Sequence, residues 1–237
     1  MADYRFLSGR RAERSAGSMK KYLTKEMLKR NLVMLFSVCM MGVCVQFLNL
    51  TKLGPDPCSA LNYGVAAKLG MSFGNYQFLF NVILFLIVVV QDRTLFGTGS
   101  LGNMILVGYS ADFTGWILEQ AGLLAKLQNM TPGLAVGIMI PTLLVFLVVA
   151  ALYMNCGLGT APYDAVPFLV HRKLEKATKK TIPFRFIRMS FDGIVTLAAF
   201  LVGGSIGIVT VLMIFLLGPA VDIVSGLVKK SGIFSEK

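Results

Sequence analysis

Charged residues are scarce in this 237-residue chain: they make up 15% of it, against about a quarter in soluble domains. None occurs in 31–51, 72–91, 94–111 or 127–163, and 189–228 contains only Asp192 and Asp222. Apolar runs of about 18–20 residues are long enough to cross a bilayer as helices, so these gaps exclude an ordinary soluble domain and predict a polytopic membrane protein. Histidine is nearly absent, with His171 alone. That leaves no Ser/His/Asp set, no HExxH and no Gly-rich phosphate cradle, so an enzyme is disfavoured. The four cysteines form no CxxC and no Cys/His spacing, so neither a metal nor a cofactor is expected. Cys39, Cys44, Cys58 and Cys156 read as buried free thiols.

The charge that is present is mostly basic. Lys and Arg number 23 against 12 Asp and Glu, a formal net charge of +11. Nine of the 23 fall in the first 30 residues and seven more in 172–188, flanking apolar runs rather than forming one patch. Basic segments beside membrane spans mark the cytoplasmic side, which disfavours nucleic acid and predicts that both termini are cytoplasmic. The expected partners are the lipid bilayer and either a small-molecule substrate or a protein, neither of which the residues specify. The stretch KKYLTKEMLKR (20–30) suits a solvated topology signal, or a surface helix on anionic lipid headgroups. The first apolar run lies behind a long polar tail with no small-residue cleavage site, so it reads as an uncleaved anchor.

Along the chain, spans are expected at about 31–50, 75–90, 100–118, 134–154, 184–204 and 207–228. The breaks LGPDP (53–57) and LGTAP (158–162) follow the first and fourth spans, because proline lacks the backbone donor and restricts the residue before it. Each break leads into a short segment, 57–70 or one from 162 that runs into the charged loop HRKLEKATKK (171–180). Leu53, Gly54, Pro57 and Ala60 match Leu158, Gly159, Pro162 and Ala165. Phe73, Phe80 and Ile83 match Phe184, Phe191 and Ile194, and Gly97, Leu106, Gly108 and Asp112 match Gly207, Leu216, Gly218 and Asp222. Three matches in register indicate an internal duplication. The fold class is therefore all-α, with two membrane repeats, six long spans and two short helices. The boundaries are a basic cytoplasmic tail (1–29), repeat 1 (30–118), a linker (119–132), repeat 2 (133–228) and a cytoplasmic tail (229–237).

The Gly-x-x-Pro break with its short helix, the Gly-x-Ser-x-Gly-like turn at GMSFG (70–74) and the Gly-rich start of an Asp-bearing helix resemble the YczE/YitT-type bacterial membrane proteins. The resemblance covers about residues 30–228. No soluble domain is expected after the last span, which favours the YczE branch. It implies an integral protein of the bacterial plasma membrane and supplies no catalytic residues.

Ionisable side chains inside apolar spans cost about 2.5–3.5 kcal/mol each on insertion scales and need a partner or a wet cavity. Arg188 and Asp192 lie four apart on one helix face, and their counterparts in the first half are Gln77 and Asn81. Asp112 and Asp222 each follow a glycine by four residues. These six residues either line a shared substrate or ion pathway, or reduce to an Arg188–Asp192 staple near the cytoplasmic surface, where arginine can snorkel, with both aspartates near span ends. Gly54 and Pro57 form the first break and Gly159 and Pro162 the second. Asp164, in the first turn of its short helix, is expected to cap it, and Ser59 holds the equivalent place. The alternative is a broken helix end aimed at an ion.

The path of the short segments sets the topology. Fourteen helical residues reach about 21 Å, short of a hydrocarbon core of about 30 Å, which favours dipping in and out. Dipping makes the repeats inverted. Charge placement favours crossing, because it moves Lys68 and Lys126 inside. Crossing is the preferred expectation, with eight membrane segments in parallel repeats and 91–97 outside. The function expected is a small-solute transporter or permease with a polar site between the repeats. The alternative is a non-transporting accessory protein that supports other membrane machinery.

Overall fold

The computed structural model describes residues 25–231, so most of the basic tail (1–29) and residues 232–237 lie outside it. Among the described residues the chain is all-helical. The helices are α1 (Lys25–Leu50), α2 (Pro57–Leu69), α3 (Phe73–Gln91), α4 (Thr98–Gln120), α5 (Leu124–Gln128), α6 (Pro132–Asn155), α7 (Pro162–Thr178), α8 (Phe184–Leu201) and α9 (Ile208–Lys230). Four of them, α1, α3, α6 and α9 as far as Val228, are long and apolar enough to cross a membrane. Their outer faces leave large apolar side chains bare, Val90 at 84% exposure among them. A water-soluble protein does not tolerate so much uncovered apolar surface, and lipid does.

Local chemistry sets the helix limits. Pro57 and Pro162 sit in the first turns of α2 and α7, where a missing N–H costs nothing. Gly70, in the left-handed region, ends α2. The segment expected to be the charged loop HRKLEKATKK is instead helical through Thr178. Its Leu, Glu, Lys and Ala side chains are good helix formers, and nothing before Lys179 breaks the run.

The helices' directions follow from their contacts. Along α1 and α4, Asn31 meets Thr98, Met34 meets Gly102, Gly42 meets Val107 and Gln46 meets Gly115, so the two run parallel. Along α6 the order reverses. The Arg30 guanidinium donates to the Cys156 carbonyl just beyond its end, while Cys44, Val45 and Leu48 cluster with Phe146. The start of α9 bonds to Leu53 and its far end reaches Asn155 through Ser225. Thus α6 and α9 run opposite to α1 and α4.

α2 begins in the middle of the bundle, beside Met41 and Val45, and passes Gln46 toward the C-terminal end of α1. There α3 starts against Gly108 and Asp112. Break and α2 together form a hairpin that enters and leaves at one end of the bundle. The second break and α7 do the same at the other end, where Arg172 pairs with Asp92. Each short helix therefore returns to the end at which its break entered, where the preferred expectation had it run on to the other end. Lys68 and Lys126 do not need the basic end: they share the other end with Lys52, and the basic clusters outweigh these three.

Candidate functional site

The two hairpins fold back because each break is clamped to the first turn of a helix from the other half. Val209 N–H donates to the Leu53 carbonyl (2.9 Å) and the Thr210 hydroxyl to the Pro55 carbonyl (2.7 Å). Reciprocally, Gly99 N–H donates to the Leu158 carbonyl (2.8 Å) and Thr160 N–H to the Leu95 carbonyl (2.9 Å). Gly54 (φ +87°) and Gly159 (φ +107°) lie where a side chain is strained, and a Cβ on either would sit 2.5 Å or less from atoms of the opposing turn.

These clamps bring the starts of α2 and α7 together at a cavity of about 80 Å³ within the bundle. Its polar wall includes Asp56, Ser59, Gln77, Asn81, Asn103, Tyr163, Asp164, Arg188 and Asp192. Met41, Val45, Phe146, Leu217 and Val221 form much of the apolar wall. Arg188 divides its guanidinium between two helices. Nη1 donates to Asp164 Oδ1 (2.7 Å) and Nε to Asp192 Oδ2 (2.9 Å). Tyr163 donates its hydroxyl to the other Asp192 oxygen (2.7 Å), and its ring lies 5.5 Å from the guanidinium carbon. Asp192 is 2% exposed. Charge-assisted bonds of this kind are what make a buried carboxylate tolerable.

Four of the six expected pathway residues line this cavity: Arg188, Asp192, Gln77 and Asn81. Arg188 and Asp192 form part of a cluster rather than a surface staple, with Asp192 buried and Arg188 and Asp164 half-buried, because the hairpins place Asp164 and Tyr163 against them. Asp112 and Asp222 are not brought there. Asp112 accepts the Gly74 N–H (2.9 Å) at the start of α3, and Asp222 is exposed on α9. Their equivalent places along the chain lie toward opposite ends of the bundle, since α4 and α9 run in opposite directions. The capping roles also shift. Asp164 bonds Arg188 rather than its own helix end, and Ser59 supplies the N–H that Asp56 caps (3.0 Å). Asp56, Tyr163 and Asn103 are additions to the expected set. The signal for the first two is their place beside the break prolines.

Outside the cavity, Asp92 holds the turn after α3. Its carboxyl is drawn down to about 2, first by bonds from the Thr94 hydroxyl and N–H and then by Arg172. Among the described residues, no group of three His, Cys, Asp or Glu side chains could hold a metal ion.

A family model described as "Family of unknown function (DUF6198)" matches residues 28–226. The chain is similar to an uncharacterized protein of Haemophilus influenzae, 26% identical over 191 residues that cover 80% of each chain. It is also similar to the uncharacterized membrane protein YczE of Bacillus subtilis, 26% identical over 167 residues, covering 70% of this chain and 71% of the relative. No solved structure matches.

Proposed function

The chain belongs to the DUF6198 family, and on that premise we propose that it is a small-solute transporter of the bacterial plasma membrane. It moves its substrate rather than transforming it. The single observation that carries this reading is the cavity at which two half-crossing helices, one from each half, meet beside the Arg188–Asp164–Asp192 cluster. Intramembrane ionisable groups and broken helices at the interface of repeats are the usual makings of a transport site.

In this reading the halves are inverted repeats of three crossings and one re-entrant hairpin each. The support is reciprocity: α1 packs on α4 as α6 packs on α9, α2 packs on α8 as α7 packs on α3, and each break bonds the other half. One end of the bundle gathers Lys25, Lys29, Arg30, Arg93 and the basic residues of 172–185, together with residues 229–230. Lys52, Lys68 and Lys126 lie at the other. Basic clusters belong to the cytoplasm, so both termini and the 91–97 connection are cytoplasmic.

The test is flux. Vesicles containing the purified protein, loaded with a mixture of small metabolites and profiled by mass spectrometry, release a subset of solutes that protein-free vesicles retain. Arg188→Met abolishes the difference. A profile equal to that of protein-free vesicles overturns transport in favour of the accessory role.

A further inference from the structure

The cavity between the starts of α2 and α7 is lined by more carboxyl groups than cations. Asp56, Asp164 and Asp192 line it against the single guanidinium of Arg188, which leaves two negative charges when all three carboxyls are ionised. The helix starts of α2 and α7 each supply about half a positive charge, so about one negative charge remains. Arg188 cannot serve a second anion with the N–H groups it already gives to Asp164 and Asp192.

A second observation is independent of charge. Gln77 Oε1 and Asn81 Oδ1 are buried with no hydrogen-bond partner, on residues only 4% and 2% exposed. Both residues line this cavity, and both atoms are acceptors. A buried acceptor left unmet is costly, so its presence points to a donor that the protein itself does not provide. Gln77 and Asn81 stand in α3 where Arg188 and Asp192 stand in α8. The second half fills its share of the site with an ion pair, and the first half leaves two carbonyls open.

Another part of the lining is apolar, built from Met41, Val45, Phe146 and Leu217. It offers no ligands to a bare metal ion. The occupant that satisfies both walls carries one positive charge, several N–H donors and a short hydrocarbon body.

We propose that the cavity binds a small primary ammonium compound. Its NH₃⁺ group faces Asp56, Gln77 Oε1 and Asn81 Oδ1, and its hydrocarbon part rests on Phe146 and Leu217. This deepens the transporter reading and rests on it for the route by which the amine arrives.

The test uses the purified full-length chain in detergent at constant ionic strength, titrated with n-butylammonium chloride, sodium chloride or sodium butyrate. The expected result is a saturable rise in melting temperature with n-butylammonium alone. Asp56→Asn and Asn81→Leu shift its midpoint about tenfold or more to higher concentration. Asn81→Asp, which keeps the side-chain size and repeats the carboxylate found at position 192, shifts it to lower concentration. Stabilisation by butyrate, or by n-butylammonium no better than by sodium, overturns the proposal. So does an unchanged midpoint in all three variants. Binding in detergent requires no flux, so the two readings fail separately. Amine binding without vesicle flux sinks transport alone, and selective flux of butyrate sinks the amine alone.

Discussion

Arg188 stands between two carboxylates, and that arrangement makes the three ionisable partners unequal. Removing the guanidinium strands Asp164 and Asp192 together, whereas removing Asp192 leaves Arg188 still bonded to Asp164. Stranding a buried charge typically costs about 3–5 kcal/mol. Arg188→Ala is therefore expected to lower the melting temperature in detergent more than Asp192→Ala does. Adding Asp192→Ala to Arg188→Ala should recover part of the loss, because one orphaned carboxylate disappears. Additive losses in this cycle would sink the shared cluster. A milder effect belongs to Asp92, whose carboxyl is held down to about 2 by Thr94 and Arg172. A depressed carboxyl stabilises the fold above its unfolded value, near 3.8, and that contribution is lost as pH falls toward 2. Melting curves of the native chain and Asp92→Asn should therefore differ above about pH 4 and converge by about pH 2; a constant offset across that range would refute it.

Among the elements, the two broken hairpins need glycine for its positive φ as well as for its size, whereas the glycines packed between the long helices, such as Gly42, need only the size. At Gly159 a Cβ would lie 2.4 Å from Gly97 N and 2.5 Å from Ser100 Oγ, at a φ of +107°. Backbone cannot move aside without breaking the Leu158–Gly99 bond that seats the hairpin. Gly159→Ala should therefore cost several kcal/mol, more than the roughly 1–3 kcal/mol of local strain alone. Gly218, inside α9, has nothing within 4 Å of its would-be Cβ, so Gly218→Ala should be neutral or stabilising by up to about 1 kcal/mol. Paired thermal melts read both. Equal effects of the two substitutions would show that the clamp does not hold the hairpin.

At the scale of the whole molecule, the path of the hairpins decides which face each connection meets. Because α2 returns to the end where it entered, α3 leads to the end that holds Arg93 and the 172–185 cluster. A single cysteine at Thr94, in a background with the four native cysteines replaced, should resist an impermeant maleimide on intact cells and react once the membrane is opened. A cysteine at Lys52 should behave oppositely. Labelling of position 94 from outside would restore crossing short helices and parallel halves.

The all-helical membrane character was legible in the charge-free runs, since a bilayer sets a minimum apolar length that composition alone reveals. The breaks at Gly54 and Gly159 were legible too, because proline and glycine act on the backbone locally. Arg188, Asp192, Gln77 and Asn81 could be chosen as polar positions on two helix faces, for helical spacing is a local property. Their meeting with Asp56, Tyr163 and Asp164 was not legible. It depends on which way each hairpin turns, and a stretch of helix carries the same apolar pattern whether it crosses a bilayer or returns. Only the cross-half bonds from Val209 to Leu53 and from Gly99 to Leu158 select the return. The same reversal separates Asp112 from Asp222, which equal places along the chain had offered as members of one shared pathway. Local sequence determined the pieces and their breaks; long-range hydrogen bonding between the halves decided the direction of each piece, and with it the site.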